Sequence, residues 1–167
     1  SAVGARFAAE AKFHLTYPYF SEFEKIQIPS DPQAQQKAVK KKIALIDLMS
    51  GHLSEVIKYD SGEYIVAALT ILGQAYSHMY SAIVATPIPK ALGADKVQAY
   101  KAAVEQMALP FKEKAIANLK AAIEKSIKLE AITNWSRQAR EEIGKYEKTG
   151  GDRELTRPLR LIDWMGL

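Results

Sequence analysis

The sequence contains no cysteine, and this absence excludes three kinds of site at once. Without a thiol there is no disulfide bond, no thiolate metal ligand and no cysteine nucleophile. Cytosolic and periplasmic proteins can both lack cysteine, so the compartment stays open. Glycine and proline are also scarce, at 9 and 7 of 167 residues, and 48% of residues are hydrophobic, which argues against a disordered chain. The length indicates one domain with a core of its own.

A strong charge of either sign is also missing. The net charge is +4, from 23 Lys and Arg against 19 Asp and Glu, and the two signs are mostly interspersed. The densest basic run, residues 37–42, carries four lysines. On a helix these lysines spread over more than one face, so they form no single stripe that could follow a phosphate backbone. We expect a solvated helix surface here and no nucleic-acid partner.

No stretch shows the sustained alternation of apolar and polar residues that is typical of a half-buried strand; apolar residues recur instead at intervals of three and four. This pattern predicts an all-α chain. The predicted helices lie at about residues 3–26, 32–59, 64–85, 94–109, 111–129 and 134–148. Asp31 followed by Pro32 is typical of a helix start, and Thr133 or Asn134 can cap the sixth helix.

Two prolines and a group of lysines refine this prediction. Pro18 is expected to kink or interrupt the first helix, and Pro110 to close the fourth helix or open the fifth. In the second helix apolar residues keep a helical spacing from Val39 to Ile57. We therefore expect that face to pack against other helices, and the lysine-bearing sides to stay in water.

Residues 64–89 carry no charged side chain. The stretch is long enough for a membrane span, but polar residues around its centre would lack partners in hydrocarbon. These residues are Thr70, Gln74, Ser77, His78 and Ser81. The favoured interpretation is a central helix surrounded by other helices, in which small residues such as Ala67, Ala68, Gly73 and Ala75 permit close approach of backbones.

Residues 150–167 are predicted to form a tail that follows a helical domain of residues 1–149. An apolar stripe stands opposite three arginines: Leu155, Leu159, Ile162 and Met165 against Arg153, Arg157 and Arg160. Pro158 interrupts the stripe, so a short turn and a second short helix are expected. A segment this apolar needs a surface to cover, so we expect it to dock on the body or on a partner, anchored by Trp164. A C-terminal capping helix is the alternative.

The histidines and glycines do not form a motif of any known chemistry. His14, His52 and His78 lack the spacing of a zinc or di-iron site, so no metal is expected. No phosphate loop, dinucleotide fingerprint or serine elbow occurs, so we expect neither a cofactor nor an enzyme. His78 is interpreted as a hydrogen-bonded core histidine. A small-ligand or enzyme site near His78 is the remote alternative.

Aromatic side chains are the best candidates for partner contacts, because tyrosine and tryptophan combine rigid apolar area with a polar tip. The candidate partner-binding residues are Tyr17, Tyr19, Tyr59, Tyr80, Trp135 and Trp164. The simpler alternative is that most of the tyrosines are half-buried packing residues. The expected partner is a protein or peptide.

Two segments resemble halves of a tetratricopeptide repeat. Leu72-Gly73 followed by Tyr76 matches the first helix of that repeat, and Ala115, Leu119 and Ala122 resemble its second helix. Trp135 then stands where the next repeat would begin. An insertion between the two halves, with Thr86-Pro87-Ile88-Pro89 and the predicted fourth helix, departs from the 34-residue unit.

The wider pattern over about residues 5–145 resembles atypical tetratricopeptide regions of large deltaproteobacterial envelope proteins, including gliding-motility proteins. The resemblance implies antiparallel helical hairpins in a right-handed superhelix or bundle. It also implies a scaffold role in the periplasm or cell envelope. Because the chain begins Ser1-Ala2-Val3 without Met or a leader, we expect a fragment of a larger protein. The alternative function is a structural or capping domain of a longer solenoid that contacts neighbouring repeats or itself.

Overall fold

The computed structural model describes residues 2–147. Their α-helices are α1 (Ala2–Lys25), α2 (Pro32–Lys58), α3 (Gly62–Val84), α4 (Val97–Lys128) and α5 (Asn134–Glu147), with a 3-10 turn at Ala94–Lys96 before α4. No strand occurs between residues 2 and 147, so the predicted all-α fold is confirmed. The predicted tail of residues 150–167, including Trp164, lies outside the described residues.

Helices α1, α3 and α5 run side by side in the same direction. In each pair of these helices, residues later in one helix contact residues later in the other, as in parallel helices. The pairs are Phe13 with Tyr64 and Phe23 with His78 for α1 and α3, and Thr70 with Trp135 and Ser77 with Glu142 for α3 and α5. These three helices form one layer, with α3 in its middle.

Helices α2 and α4 run in the opposite direction, and each packs against α3. Here the contacts run in reverse order along the two helices. The pairs are Lys12 with Glu55 and Glu22 with Lys41 for α1 and α2, and Gly62 with Leu129 and Tyr80 with Glu105 for α3 and α4. The described chain is therefore built from the hairpins α1–α2 and α3–α4, followed by α5.

Helix α3 is the central helix, as the lack of charge from Tyr64 onward predicts. Between Tyr64 and Met79 nearly every side chain is buried, including those of Ala67, Ala68 and Ala75. Burying one large aliphatic side chain stabilises a fold by about 1.5–3 kcal/mol, so this helix supplies much of the core. Its bounds, Gly62–Val84, differ slightly from the predicted 64–85. Among residues 2–147 no helix has the length and hydropathy of a membrane span.

The prediction that Pro110 separates two helices is wrong. Helix α4 runs without a break for 32 residues, with Pro110 inside it. Proline costs a helix about 3 kcal/mol or more, because it removes one hydrogen bond and crowds the preceding turn. Pro110 faces solvent, where water can satisfy the carbonyl of Gln106, while Ala108 and Ala115 are buried on the packed face. Pro18 is likewise exposed and does not interrupt α1.

The predicted caps are present at two helix starts. The Asp31 side chain accepts a hydrogen bond from the Ala34 backbone N–H at 2.8 Å, and Pro32 is the first residue of α2. At α5 the Thr133 hydroxyl accepts from the Trp135 N–H at 3.2 Å, while the Ser136 hydroxyl accepts from the Thr133 N–H. This reciprocal pairing satisfies backbone donors that a helix start leaves unpaired.

Candidate functional site

A groove runs between α1 and α5, with α3 as its floor. It encloses about 420 Å³. We call it the α3 groove and define it by its lining: Ile71, Gln74, Ser77, His78 and Ser81 from α3, Tyr17, Phe20 and Glu24 from α1, and Trp135, Gln138, Glu142 and Lys145 from α5. On each helix these positions recur every three or four residues, so each helix turns one stripe toward the groove.

A ladder of hydrogen bonds joins α3 to α5 along the groove. The Gln74 side-chain amide donates to the Gln138 carbonyl oxygen at 3.1 Å. One turn further along, the Ser77 hydroxyl donates to a Glu142 carboxylate oxygen at 2.5 Å. Lys145 pairs with the other oxygen of Glu142 at 2.7 Å. These contacts fix the polar side chains of α5 in place over the floor.

One end of the groove is closed by an aromatic contact and the other is polar. The Phe13 and Trp135 rings meet edge to face across the two walls, with centroids 5.3 Å apart. At the other end Glu24, Ser81 and Lys145 are exposed. A ligand would therefore enter from the polar end or from above.

A buried lysine lies behind the α1 wall. Lys42 is fully buried, and its Nζ donates to the Phe23 carbonyl oxygen at 2.6 Å and to the Ile26 carbonyl oxygen at 3.0 Å. The prediction that the lysines of α2 stay in water is wrong for this residue. The physical reason is the end of α1, whose last carbonyls lack helical partners and carry the negative end of the helix dipole.

Lys42 also connects to the groove through an aromatic ring. Its Nζ lies 4.0 Å from the centre of the Phe23 ring, a cation–π contact, and the His78 ring meets Phe23 at 5.2 Å. Burial lowers the pKa of Lys42 to about 8, although Glu24 opposes the change. Burial and the positive charge of Lys42 lower the pKa of His78, while Glu142 opposes this. At neutral pH the lysine is charged and the histidine neutral.

His78 differs from its predicted state as a hydrogen-bonded core histidine. The residue is half-buried on the groove floor, and its Nδ1 atom is buried without a hydrogen-bond partner among residues 2–147. A buried polar atom that lacks a partner costs free energy. His78 therefore presents an unpaired buried nitrogen on the floor, next to Ser77 of the ladder to α5.

The structure brings together two of the predicted partner-binding residues. Tyr17 and Trp135 both line the α3 groove. Tyr19 lies on the other side of α1, where its ring stacks on His52. Tyr59 follows the end of α2. Tyr80 faces α4, where burial and its hydrogen bond to Glu105 raise its pKa to about 12. These three contribute to other surfaces, and Trp164 is outside the described residues.

The glutamines and Glu142 were not predicted as site residues. A signal for the floor exists in the sequence, because Gln74, Ser77 and Ser81 recur at helical spacing within a stretch that carries no charge. No such signal exists for Gln138 and Glu142. In the sequence they are typical of a polar helix surface. Only the parallel packing of α5 beside α3 brings them to the groove.

The lining of the groove combines aromatic, amide, hydroxyl, imidazole and carboxylate groups. Within residues 2–147 no group of three or more His, Asp or Glu side chains is placed to hold a metal ion. Comparison with protein-family models, with curated proteins and with solved structures gives no match to this chain. The geometry of the groove is thus the basis on which function can be inferred.

Proposed function

We propose that this chain is a non-enzymatic interaction module that binds a peptide segment of a partner protein in the α3 groove. The observation that carries the proposal is the combination of Tyr17, Trp135, Gln74 and Gln138 in one open hollow. Aromatic rings and fixed amides on a rigid floor are typical of recognition sites, which need a few placed polar groups on an apolar base.

The amide pair suits the backbone of a peptide. Each glutamine side chain carries two N–H donors and a carbonyl acceptor, the same groups that a peptide backbone pairs with. The contact between Gln74 and Gln138 uses one donor and one acceptor, which leaves further groups for a ligand. Because α3 and α5 hold these side chains, little conformational freedom is lost when a peptide binds.

The aromatic and charged walls define the preferred peptide. Tyr17 is 45% exposed and can cover an apolar side chain of the ligand at low entropic cost. The lining carries two carboxylates, Glu24 and Glu142, against the single cation of Lys145. This balance favours a peptide with an apolar residue followed or preceded by Lys or Arg over an acidic peptide.

The resemblance to tetratricopeptide regions supports the same function. Leu72-Gly73 and Tyr76 lie on α3, Leu119 lies on the antiparallel α4, and Trp135 lies at the start of α5. We include in the proposal that these helices correspond to the first helix, the second helix and the following repeat of a tetratricopeptide-like unit. A right-handed superhelix, a scaffold role and a location in the cell envelope remain parts of the proposal.

A displayed library of random peptides tests the proposal with the intact chain. We expect peptides selected on the wild type to be lost when Ser81→Arg fills the groove, because Ser81 is exposed on its floor. Ser54→Arg is the matched control, since Ser54 is an exposed serine of α2 outside the lining. Peptides that bind both variants equally, or a library that yields none, would contradict the proposal.

A second candidate function is a structural unit of a longer solenoid. The observation that favours it is an apolar stripe on α1, where Val3, Phe7 and Leu15 are 65%, 64% and 71% exposed at spacings of four and eight residues. Another helix pair could pack on this stripe. The exposed residues of α5 are polar instead, with Arg137 and Arg140 among them.

Sedimentation of the isolated chain tests this candidate. An uncovered stripe should promote association as the concentration rises, and Phe7→Glu should abolish it. The control is Ala117→Glu on the exposed surface of α4. A wild-type chain that stays monomeric at every concentration would count against the candidate.

A further inference from the structure

We propose that residues 155–165 of this chain fold back and cover an apolar face formed by the end of α3, the loop that follows it and the first three turns of α4. We call it the Tyr100 face and define it by Val84, Ile88, Tyr100, Val104 and Met107. The face lies outside the α3 groove, so this inference is independent of the proposed function.

The Tyr100 face consists of two hollows on either side of a ridge. The larger encloses about 680 Å³ and includes Val84 and Ile88. The smaller encloses about 420 Å³ and includes Met107. Tyr100 and Val104 line both hollows and form the ridge between them.

Three large apolar residues of the face are exposed. Met107 is 59% exposed, and Val84 and Ile88 are also exposed. A contiguous apolar surface of this kind on a folded domain usually marks a contact site. The occupant must therefore offer apolar side chains at more than one position, one group for each hollow.

The described chain ends beside this face. Near the end of α5 the Tyr146 ring lies 6.1 Å from the Tyr80 ring, and the Tyr80 hydroxyl donates to Glu105 at 2.8 Å. Glu105 in turn lines the larger hollow. Contacts through Tyr146, Tyr80 and Glu105 therefore connect the C-terminal end of α5 to the face.

The remaining segment has the length and composition to reach and cover both hollows. An extended chain spans roughly 3.3–3.6 Å per residue, so the seven residues between Glu147 and Leu155 can cross about 25 Å before the stripe begins. Gly150 and Gly151 allow the chain to turn back. The apolar residues then follow at spacings of four, three and three, as Leu155, Leu159, Ile162 and Met165, with Trp164 next to the last of them.

Covalent attachment favours this occupant over a separate molecule. A short tether gives its attached segment an effective concentration in the millimolar range, well above that of a free partner. Even weak apolar contacts then suffice for docking. A second copy of the chain or another protein would have to displace the tail.

Quenching of Trp164 fluorescence tests the docking directly. The chain has two tryptophans, so Trp135→Phe leaves Trp164 as the single emitter, and the absence of cysteine allows a nitroxide label at one introduced cysteine. The label is placed at Ala102→Cys, which lines the larger hollow. Ala117→Cys is the matched control, because it is an exposed alanine about 22 Å further along the same helix.

We expect the label at residue 102 to quench Trp164 several-fold more than the label at residue 117, with no change on dilution. In the same single-tryptophan chain, Ala102→Lys should shift the Trp164 emission to longer wavelength, whereas Ala117→Lys should not. Equal quenching from both labels would overturn the proposal. Quenching that falls on dilution would also overturn it, since it would place the tail on a second copy.

Discussion

Gly73 of α3 and Leu119 of α4 lie so close that a Cβ atom added to the glycine would come within 2.6 Å of the leucine Cγ and Cδ2 atoms. Leu119 is fully buried, so its side chain has little room to move. The glycine therefore sets the distance between the central helix and its antiparallel partner. The contact therefore fixes how closely α4 packs beside the helix that forms the floor of the α3 groove.

The contact gives a prediction with an internal control. We expect Gly73→Ala to reduce the free energy of unfolding by about 1–2 kcal/mol. Overpacking destabilises a fold by about 1–3 kcal/mol, and the higher helix propensity of alanine offsets at most about 1 kcal/mol of this loss. Gly51→Ala should instead stabilise by about 0.5–1 kcal/mol, since nothing lies within 4 Å of the added atom. Urea titrations measure both. Two changes of the same sign would contradict the close contact.

Burial of the neighbouring Leu72 gives a second prediction. Leu72→Ala should reduce the free energy of unfolding by about 2–5 kcal/mol, the range for a buried leucine. Lys41→Ala should change it by no more than about 0.5 kcal/mol, because Lys41 is exposed and its ion pair with Glu22 is solvated. If denaturant titrations give equal, small decreases in the free energy of unfolding for both variants, Leu72 does not belong to the core.

The sequence predicts the helices well and the connections between them less well. The lack of charge in residues 64–89 correctly places α3 at the centre, because only a helix buried on most sides can dispense with charged residues. The predicted break at Pro110 is wrong, because the burial of Ala108 and Ala115 on the packed face of α4 outweighs the low helix propensity of proline. A single sequence does not reveal which proline faces water.

The buried state of Lys42 predicts a stability change at alkaline pH. Its folded pKa is about 8 against an ordinary 10.5, so between these values the unfolded chain binds more protons than the folded chain. The free energy of unfolding therefore rises with pH in this window, by about 1–3 kcal/mol relative to a Lys42→Met chain. Lys41→Met is the control and should follow the wild type. If the difference in free energy of unfolding between the wild type and Lys42→Met stays constant from pH 8 to pH 10.5, Lys42 is solvated.

The lowered pKa of His78 predicts a change in stability at acidic pH. Because its pKa is lowered from 6.5, the unfolded chain takes up a proton first as the pH falls, and the folded chain loses stability below pH 6.5. Of the three histidine signals in an NMR titration, the one missing in His78→Gln should titrate below 6.5. His14→Gln should keep the acid sensitivity of the wild type. A His78 signal with a midpoint at or above 6.5 would mean that burial and Lys42 do not act on it.

The candidate site was only partly accessible from sequence. Tyr17 and Trp135 are recognisable as aromatic anchors, but their meeting in one groove depends on α1 and α5 flanking the same face of α3. The roles of Gln138 and Lys42 depend on contacts with residues far away in the chain. Such contacts leave no local pattern, because each residue taken alone is typical of a solvated helix surface.

The central claim, that the α3 groove binds a peptide, is tested most directly by NMR mapping with a peptide selected on the intact chain. We expect the backbone amide signals of Gln74, Ser77, Ser81 and Gln138 to shift as the peptide is added. Signals from the exposed surfaces of α2 and α4 should stay in place. If the largest shifts fall on α2 or α4 while the groove signals stay unchanged, the peptide does not bind in the α3 groove.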